Sequence, residues 1–482
     1  MSPTRCRAGS SRRAYAQPRI VPASALILRI CTTICLLTLG ACDDPTPDPM
    51  VIIGADASGD SSGDTAILPD TGHIDVPLVD GEVPAEKCGN QVDDNGNGLI
   101  DENCLPKPNL RADQCWQDYG LVAVEKGKNA ALLSHTSTAM DAGLLAVAVD
   151  QGPSPYNHYV WANTLKSPSG LELLTGDTWT ESPNRAGTGI GGSTILVGMG
   201  SEVSVIAGKW QFSFTRTDEL PSQILPQVSD TWLHIGLQCR DPLAATQMAK
   251  LDLDVFCLDR VPMPAAELEK SLQWQQIIAK VNATWLPAHI QLGTVHLYDV
   301  TGDAGIKFHY LDDVTGGDGN NELNQVYVET GKLQPSSTAA TLVITAGLHD
   351  AVGGLAAAGL SQLAGVSGFA GSRLGGMAIA IDPDTWAKTV VQGAGATTAG
   401  DIWGVLMAHE IGHFLGLWHT DEHDGQMHDP IDDTAPCTKQ LNPLSAADCP
   451  QQAKYLMFWS QPGTLVTPQQ IQVVRHSPAL RP

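Results

Sequence analysis

Four residues in one short segment carry the chemistry: His409, Glu410, His413 and His419, within His409-Glu410-Ile411-Gly412-His413-Phe414-Leu415-Gly416-Leu417-Trp418-His419. Positions four apart share one face of a helix, so His409 and His413 can present their imidazoles to a single metal ion. Glu410 leaves the helix at a neighbouring angle and can reach a water on that metal rather than the metal itself. Gly416 can take the left-handed conformation that ends a helix, after which the chain can turn and bring back His419 as a third ligand. Three neutral imidazoles suit zinc and leave a fourth position for water. Zinc brings the pKa of such a water toward neutrality, and Glu410 can take its proton and later pass it to a leaving amine. A charged surface helix would explain a bare His-Glu-x-x-His, but it gives no reason for Gly416 and His419 at their positions.

Such a site needs a helix for the first two histidines and a sheet to hold that helix. Asp401 is placed to cap a helix running toward Phe414. Residues 251–258, 290–300, 341–345 and 377–381 are apolar strand-like runs, and 353–376 is rich in Gly and Ala. Pro264 opens a helix in which Leu268, Leu272, Ile278, Val281 and Trp285 recur at helical spacing. Strand, helix, strands, helix predicts an α+β domain over 239–482. Upstream, residues 144–149, 194–199 and 203–214 alternate or run apolar, the last with Val203, Val205, Trp210, Phe212 and Phe214 at period two. Gly and Pro punctuate the gaps, which predicts a mainly β, sandwich-like domain over 106–238.

The eleven-residue segment resembles the signature of the metzincin zinc peptidases at every defined position. A second point of resemblance is Met457, in Tyr455-Leu456-Met457-Phe458-Trp459-Ser460, 38 residues after His419, where the family has a methionine turn beneath the metal. Val281 to Leu292 resembles the end of the first metzincin helix and the strand after it, so the likeness spans roughly residues 250–482. Within the metzincins it is most similar to the pappalysin-like group, through His419-Thr420, Asp432-Asp433-Thr434-Ala435-Pro436-Cys437, and Cys449 just before the methionine turn. The resemblance implies a mixed twisted sheet, an active-site helix and a Met-turn. It also implies zinc on His409, His413 and His419, with Glu410 as general base. Structural calcium is implied too, with Asp421, Asp424, Asp429, Asp432 and Asp433 as candidate oxygens. A peptide substrate would lie as an added strand along an edge near 377–381. Several metzincins place Tyr two residues after the Met; Trp459 stands there and has no hydroxyl. His423 and His428 follow the motif closely, but a fourth histidine would block the open position, so both are expected to be loop residues.

The rest of the chain sets the context. It has 482 residues, 43% of them hydrophobic, and a formal net charge of −24. That acidity argues against nucleic acid as a partner. Residues 1–41 carry six arginines and no acid, then a short apolar run from Ile30 to Leu39 that ends in Leu39-Gly40-Ala41-Cys42. This predicts a lipoprotein-type signal peptide, with Cys42 lipidated as the first mature residue. Residues 42–85, rich in Asp, Pro, Gly and Ser, are a flexible tether. Residues 86–105 hold Asp93, Asn95, Asn97, Gly98 and Asp101 between Cys88 and Cys104, a calcium-loop-like spacing that an Asn-Gly turn pinned by a disulfide would also explain. Proximity suggests the pairs Cys88–Cys104, Cys239–Cys257 and Cys437–Cys449. Cys115 would be left over, available to ligate zinc in a latent precursor. The expectation is therefore an exported, monomeric zinc endopeptidase of the cell envelope or exterior, touching membrane only through its lipid. It would act on proteins or peptides through a zinc-bound water activated by Glu410. The alternative is a surface binding or adhesion lipoprotein built on a degenerate metalloprotease scaffold, and the intact Glu410 counts against it.

Overall fold

In a computed structural model the described residues are 105–482. The exceptions are 106, 125–131, 138–141, 151–158, 176–186, 201–204, 218–230, 260, 312–321, 350–354, 362, 370–372, 390–396, 424, 440, 442–443 and 461–462. The signal sequence, Cys42, the tether, the calcium-loop-like residues Asp93, Asn95, Asn97 and Asp101, and the pair Cys88 and Cys104 lie outside them.

Among the described residues the regular elements of the first half are strands: β1 (Gln114–Val124), β2 (Leu133–Ser137), β3 (Gly143–Asp150), β4 (Tyr159–Lys166), β5 (Glu172–Thr175), β6 (Gly187–Ile190), β7 (Gly192–Leu196), β8 (Gly208–Thr217) and β9 (Thr231–Arg240). Alternation on β8 buries Trp210, Phe212 and Phe214, large side chains whose burial dominates a local core. The strands form one sheet in the order β1-β9-β3-β7-β6-β4-β8-β2, with β5 beside β4. It curls until its two ends meet. Tyr119 Oη on β1 donates to Ser134 O on β2 (2.9 Å), and Gln117 and His135 share a bond of 2.9 Å. The structure thus has a single curled sheet where two stacked sheets were expected; alternation gives the faces of strands but not how a sheet closes. β9 runs to Arg240, past the expected boundary at 238. β3 is buried on nearly every residue, because its second face packs on the other half, and one hydrophobic cluster runs from Val124 through Leu196 to Phe414 and Met457.

The second half contains both helices and strands. β10 (Ala249–Leu258), β11 (Ile290–Val300), β13 (Ala340–Thr345) and β17 (Gly376–Ala380) are parallel, and β16 (Gly359–Ser361) adds antiparallel to β17. The order β11-β10-β13-β17-β16 makes β16 the edge and places β17 inside. This corrects the expectation of an edge at 377–381. A small sheet of β12 (Tyr310–Leu311), β14 (Gly347–His349) and β15 (Leu355–Ala357) lies beside it. The helix expected from Pro264 is split into α1 (Ala265–Leu268) and α2 (Leu272–Trp285). Ser271 Oγ accepts from Trp274 N at 3.1 Å, and a serine offering that local acceptor starts a new helix. Then come α3 (Gly302–Lys307), α4 (Glu322–Leu333), α5 (Pro383–Lys388), α6 (Val405–Phe414) and α7 (Pro468–Arg475). Among the described residues, no helix is long and apolar enough to cross a membrane.

A belt over 363–369 joins the two halves. Thr194 Oγ1 donates to Leu363 O at 2.7 Å, Gln238 Nε2 to Ser367 O at 2.9 Å, and Trp116 meets Phe369 edge to face. On its other side, Ala364 N and Gly365 N donate to the carbonyls of His413 and Phe414 at 3.0 and 2.8 Å. The last residues are held by arginines of the first half. Arg111 donates to the carbonyls of Pro478, Ala479 and Leu480, and Arg240 to those of Arg475 and Ser477.

Two disulfides are described. Cys437–Cys449 is as expected, but Cys239 pairs with Cys115, not Cys257. The register sets Cys115 directly opposite Cys239 on β1 and β9, with Cα atoms 4.9 Å apart, while Cys257 is buried and free in the other sheet. Sequence proximity cannot see this, because the partners are 124 residues apart. The Cys115 thiol is therefore not available as a latency ligand. Replacing Cys115 by Ser should lower the unfolding free energy by about 2–4 kcal/mol in urea melts of oxidised protein. Cys437→Ser should cost less, because its loop is shorter. An unchanged midpoint for Cys115→Ser would contradict the pairing.

Candidate metal centre

α6 is preceded by one wide turn, Gly400–Gly404. Asp401 does not cap it as expected. Thr398 does, and Asp401 is its partner: Asp401 N donates to Thr398 Oγ1 (3.2 Å), and Thr398 N donates to Asp401 Oδ2 (3.3 Å), the reciprocal arrangement of a capping box. α6 is buried almost all round, as expected of a helix apolar on every side. It ends at Gly416, whose φ is +106°. Gly416 N donates to His413 O (2.8 Å) and Leu417 N to Gly412 O (2.9 Å), which is the Schellman pattern. A side chain at Gly416 would also run into Leu196 of the curled sheet.

This turn swings His419 back to the helix. His409 Nε2 lies 3.3 Å and His413 Nε2 3.0 Å from His419 Nε2. Among the described residues these three form the one group of three or more His, Cys, Asp or Glu side chains whose ligand atoms converge closely enough for a metal ion. Each ring is held by its other nitrogen. His409 Nδ1 meets Leu456 O at 2.7 Å, His413 Nδ1 meets Leu417 O at 2.7 Å, and His419 Nδ1 meets Glu422 Oε2 at 2.9 Å. All three partners are acceptors, so the proton of each neutral ring belongs on Nδ1. Three Nε2 lone pairs then face one another with no proton between them. Such a donor set is satisfied by a cation.

Met457 is fully buried, and a Cβ at Gly412 would collide with its sulfur, so it sits directly under the helix between the two histidines. Thr420 N donates to Met457 O at 2.8 Å, fastening the His419 segment to the same turn. Glu410 is buried, and its carboxylate lies against Gly359 of β16, where a Cβ would press on it. Trp459 is not displayed to the triad. It packs with Phe458, Leu444 and the Cys437–Cys449 disulfide in a satellite cluster.

The other candidates are placed elsewhere. His428 Nδ1 bonds Asp421 Oδ1 at 2.8 Å, and the His423 ring lies edge-on to Trp459; neither joins the triad. Asp433 accepts from Thr467 Oγ1 at 2.7 Å and Gln469 N at 2.8 Å, and the backbone N–H of Asp432 donates to Gln469 Oε1 at 2.8 Å. The Asp433 carboxylate and the Asp432 backbone thus anchor the start of α7. Asp424 lies outside the described residues. Two participants were not singled out from the sequence: Glu422, an acid three residues after His419, and Gly359, whose lack of a side chain has meaning only beside Glu410.

No protein-family model matches the chain, and no curated protein does. Among solved structures, metalloproteinase-II from Bacteroides fragilis is similar over 45% of this chain and 61% of its own length, at 14% identity and a TM-score of 0.23. This chain therefore spans less than two thirds of that protein. At that TM-score the likeness bears on neither fold nor chemistry.

Burial sets the protonation states of the metal-free site. It lowers His409 to about 3, with the neighbouring His419 acting the same way, and it lowers His413 well below the usual imidazole range. It raises Glu410 to about 8. The signs oppose one another. An imidazole depressed in the fold contributes stability that is complete above about pH 6.5 and is lost as pH falls toward its folded value. A carboxyl raised in the fold contributes stability that is complete below about pH 4.5 and is lost as pH rises to about 8. Of these three groups, only Glu410 still changes the stability between about pH 6.5 and 8. In metal-free protein Glu410→Gln should therefore flatten the loss of stability over that window. Parallel curves for variant and wild type would contradict this assignment.

Proposed function

We propose that this chain is a zinc-dependent endopeptidase of the metzincin type, similar to the pappalysin-like group. The observation that carries the reading is the convergence of three Nε2 lone pairs beside a buried glutamate. Zinc bonded to nitrogen at about 2.0–2.1 Å in tetrahedral geometry separates its ligands by about 3.3 Å. The Nε2 separations of 3.0 and 3.3 Å suit it. The left-handed Gly416, the methionine under the helix and the antiparallel edge strand beside Glu410 support the finer family reading. His409, His413 and His419 would hold the ion. When bound, zinc supplies Lewis acidity that polarises a peptide carbonyl and acidifies water.

The protein's own residues do the rest. The three acceptors Leu456 O, Leu417 O and Glu422 keep every Nε2 unprotonated. Glu410, two carboxylate oxygens on a side chain fixed against Gly359, takes a proton from water and hands it to the leaving amine. The outer side of β16 offers backbone groups to an extended peptide. Export, lipidation at Cys42 and a monomeric state belong to the same proposal. For calcium, Asp421 and Asp429 are better suited than Asp432 and Asp433. Each has a buried Oδ2 without a hydrogen-bond partner, and burial holds the Asp429 carboxyl well above the usual range.

The decisive test compares purified wild type and Glu410→Ala for zinc content and for cleavage of casein, gelatin and a peptide library. The variant should keep stoichiometric zinc and lose hydrolysis by about 10²–10⁴-fold. Wild type that holds zinc and cleaves nothing would refute the proteolytic reading. Gly359→Ala, at equal zinc content, should lower kcat/KM on the order of 10²-fold by displacing the Glu410 carboxylate; unchanged kinetics would remove that contact from the account.

A further inference from the structure

Two of the three histidines are fixed by the backbone, and the third is not. His409 and His413 rise from α6, and each finds a carbonyl, Leu456 O and Leu417 O, at 2.7 Å. His419 lies beyond the turn on irregular chain, where no helix sets its ring angle. Its Nδ1 meets the Glu422 carboxylate at 2.9 Å. Glu422 is itself 7% exposed and His419 1%. A tight reversal holds Glu422 there, with Glu422 N donating to Met427 O (3.0 Å) and Gly425 N to Glu422 O (2.9 Å).

Burying a carboxylate beside a neutral ring is costly. A cation on the far nitrogen of the same ring offsets that cost, because the imidazole relays its pull to the Nδ1–H. The hydrogen bond in turn fixes the tautomer and the ring plane and makes Nε2 a better donor. We propose that Glu422 is the positioning residue for His419, acting through the Nδ1 hydrogen bond to set how tightly the triad holds its metal. The inference rests on the zinc reading above and deepens it, and its test reads metal binding, not hydrolysis.

The test measures zinc affinity by competition with a chelator for full-length wild type, Glu422→Ala and Glu422→Gln, together with the visible absorption of the cobalt-substituted forms. Glu422→Ala should bind zinc about 10–100-fold more weakly, and its cobalt bands should shift and lose intensity as the His419 ring is released. Glu422→Gln still offers an oxygen to Nδ1–H, so it should recover most of the affinity and the wild-type spectrum. A merely structural role would lower the melting temperature of Glu422→Ala and leave affinity within twofold and the cobalt spectrum unchanged; that result overturns the proposal. Glu422→Gln as weak as Glu422→Ala also overturns it, since the hydrogen bond would then not be the cause. Wild type that binds zinc without cleaving peptides would sink the protease reading and leave this inference standing. Wild type that binds no zinc would sink both.

Discussion

Three nitrogen lone pairs pointed at one another from about 3 Å are repulsive unless something positive lies among them, and the surrounding structure is organised around that constraint. Each imidazole must be held against the repulsion by its other nitrogen, and the three holders come from separate parts of the chain. Leu417 O is delivered by the helix-ending turn, Leu456 O by the turn at Met457 and the Glu422 carboxylate by the reversal after His419. Met457 fixes the distance between the second holder and α6, because Gly412 leaves room for its sulfur and for nothing more. Burial then keeps the His409 and His413 rings neutral, so a cation there need not compete with protons near neutral pH.

The sheet serves the same end. β16 closes the antiparallel edge next to Glu410, and Gly359 brings backbone to within contact of its carboxylate. A buried acid with no cation beside it holds its proton, as the rise of Glu410 to about 8 expresses. Under the proposed reading, the surroundings that make Glu410 a reluctant carboxylate would also suit it to accept a proton from a water acidified by a bound metal.

The triad was legible in the sequence because its logic is local: a helical repeat of four, a glycine, and a return after three residues. Met457 was legible only through resemblance, since one buried methionine resembles any other until Gly412 is seen above it. Strands with apolar runs, such as β10, β13 and β17, were visible. Their order was not, because an edge is defined by what fails to pair, and so β17 was mistaken for one. The Cys115–Cys239 bridge and the closure of the first sheet were hidden for a related reason: both depend on register between strands far apart in the chain. The split between α1 and α2 and the shift of the cap from Asp401 to Thr398 were smaller errors, decided by single hydroxyls.

The belt over 363–369 and the arginine clasps at 475–480 impose an order in time as well as in space. Arg111 and Leu480 are 369 positions apart, and the Arg111 guanidinium has that carbonyl as one of its acceptors. Gln238 waits on Ser367, and Thr194 on Leu363. Contacts of such range form late, because long loops must close first. Thr194, Gln238 and Arg240 of the curled sheet find these acceptors once 363–369 and 475–480 are in place. The curled sheet and the histidine-bearing helix are thereby coupled in folding, since the belt that binds one also binds the other.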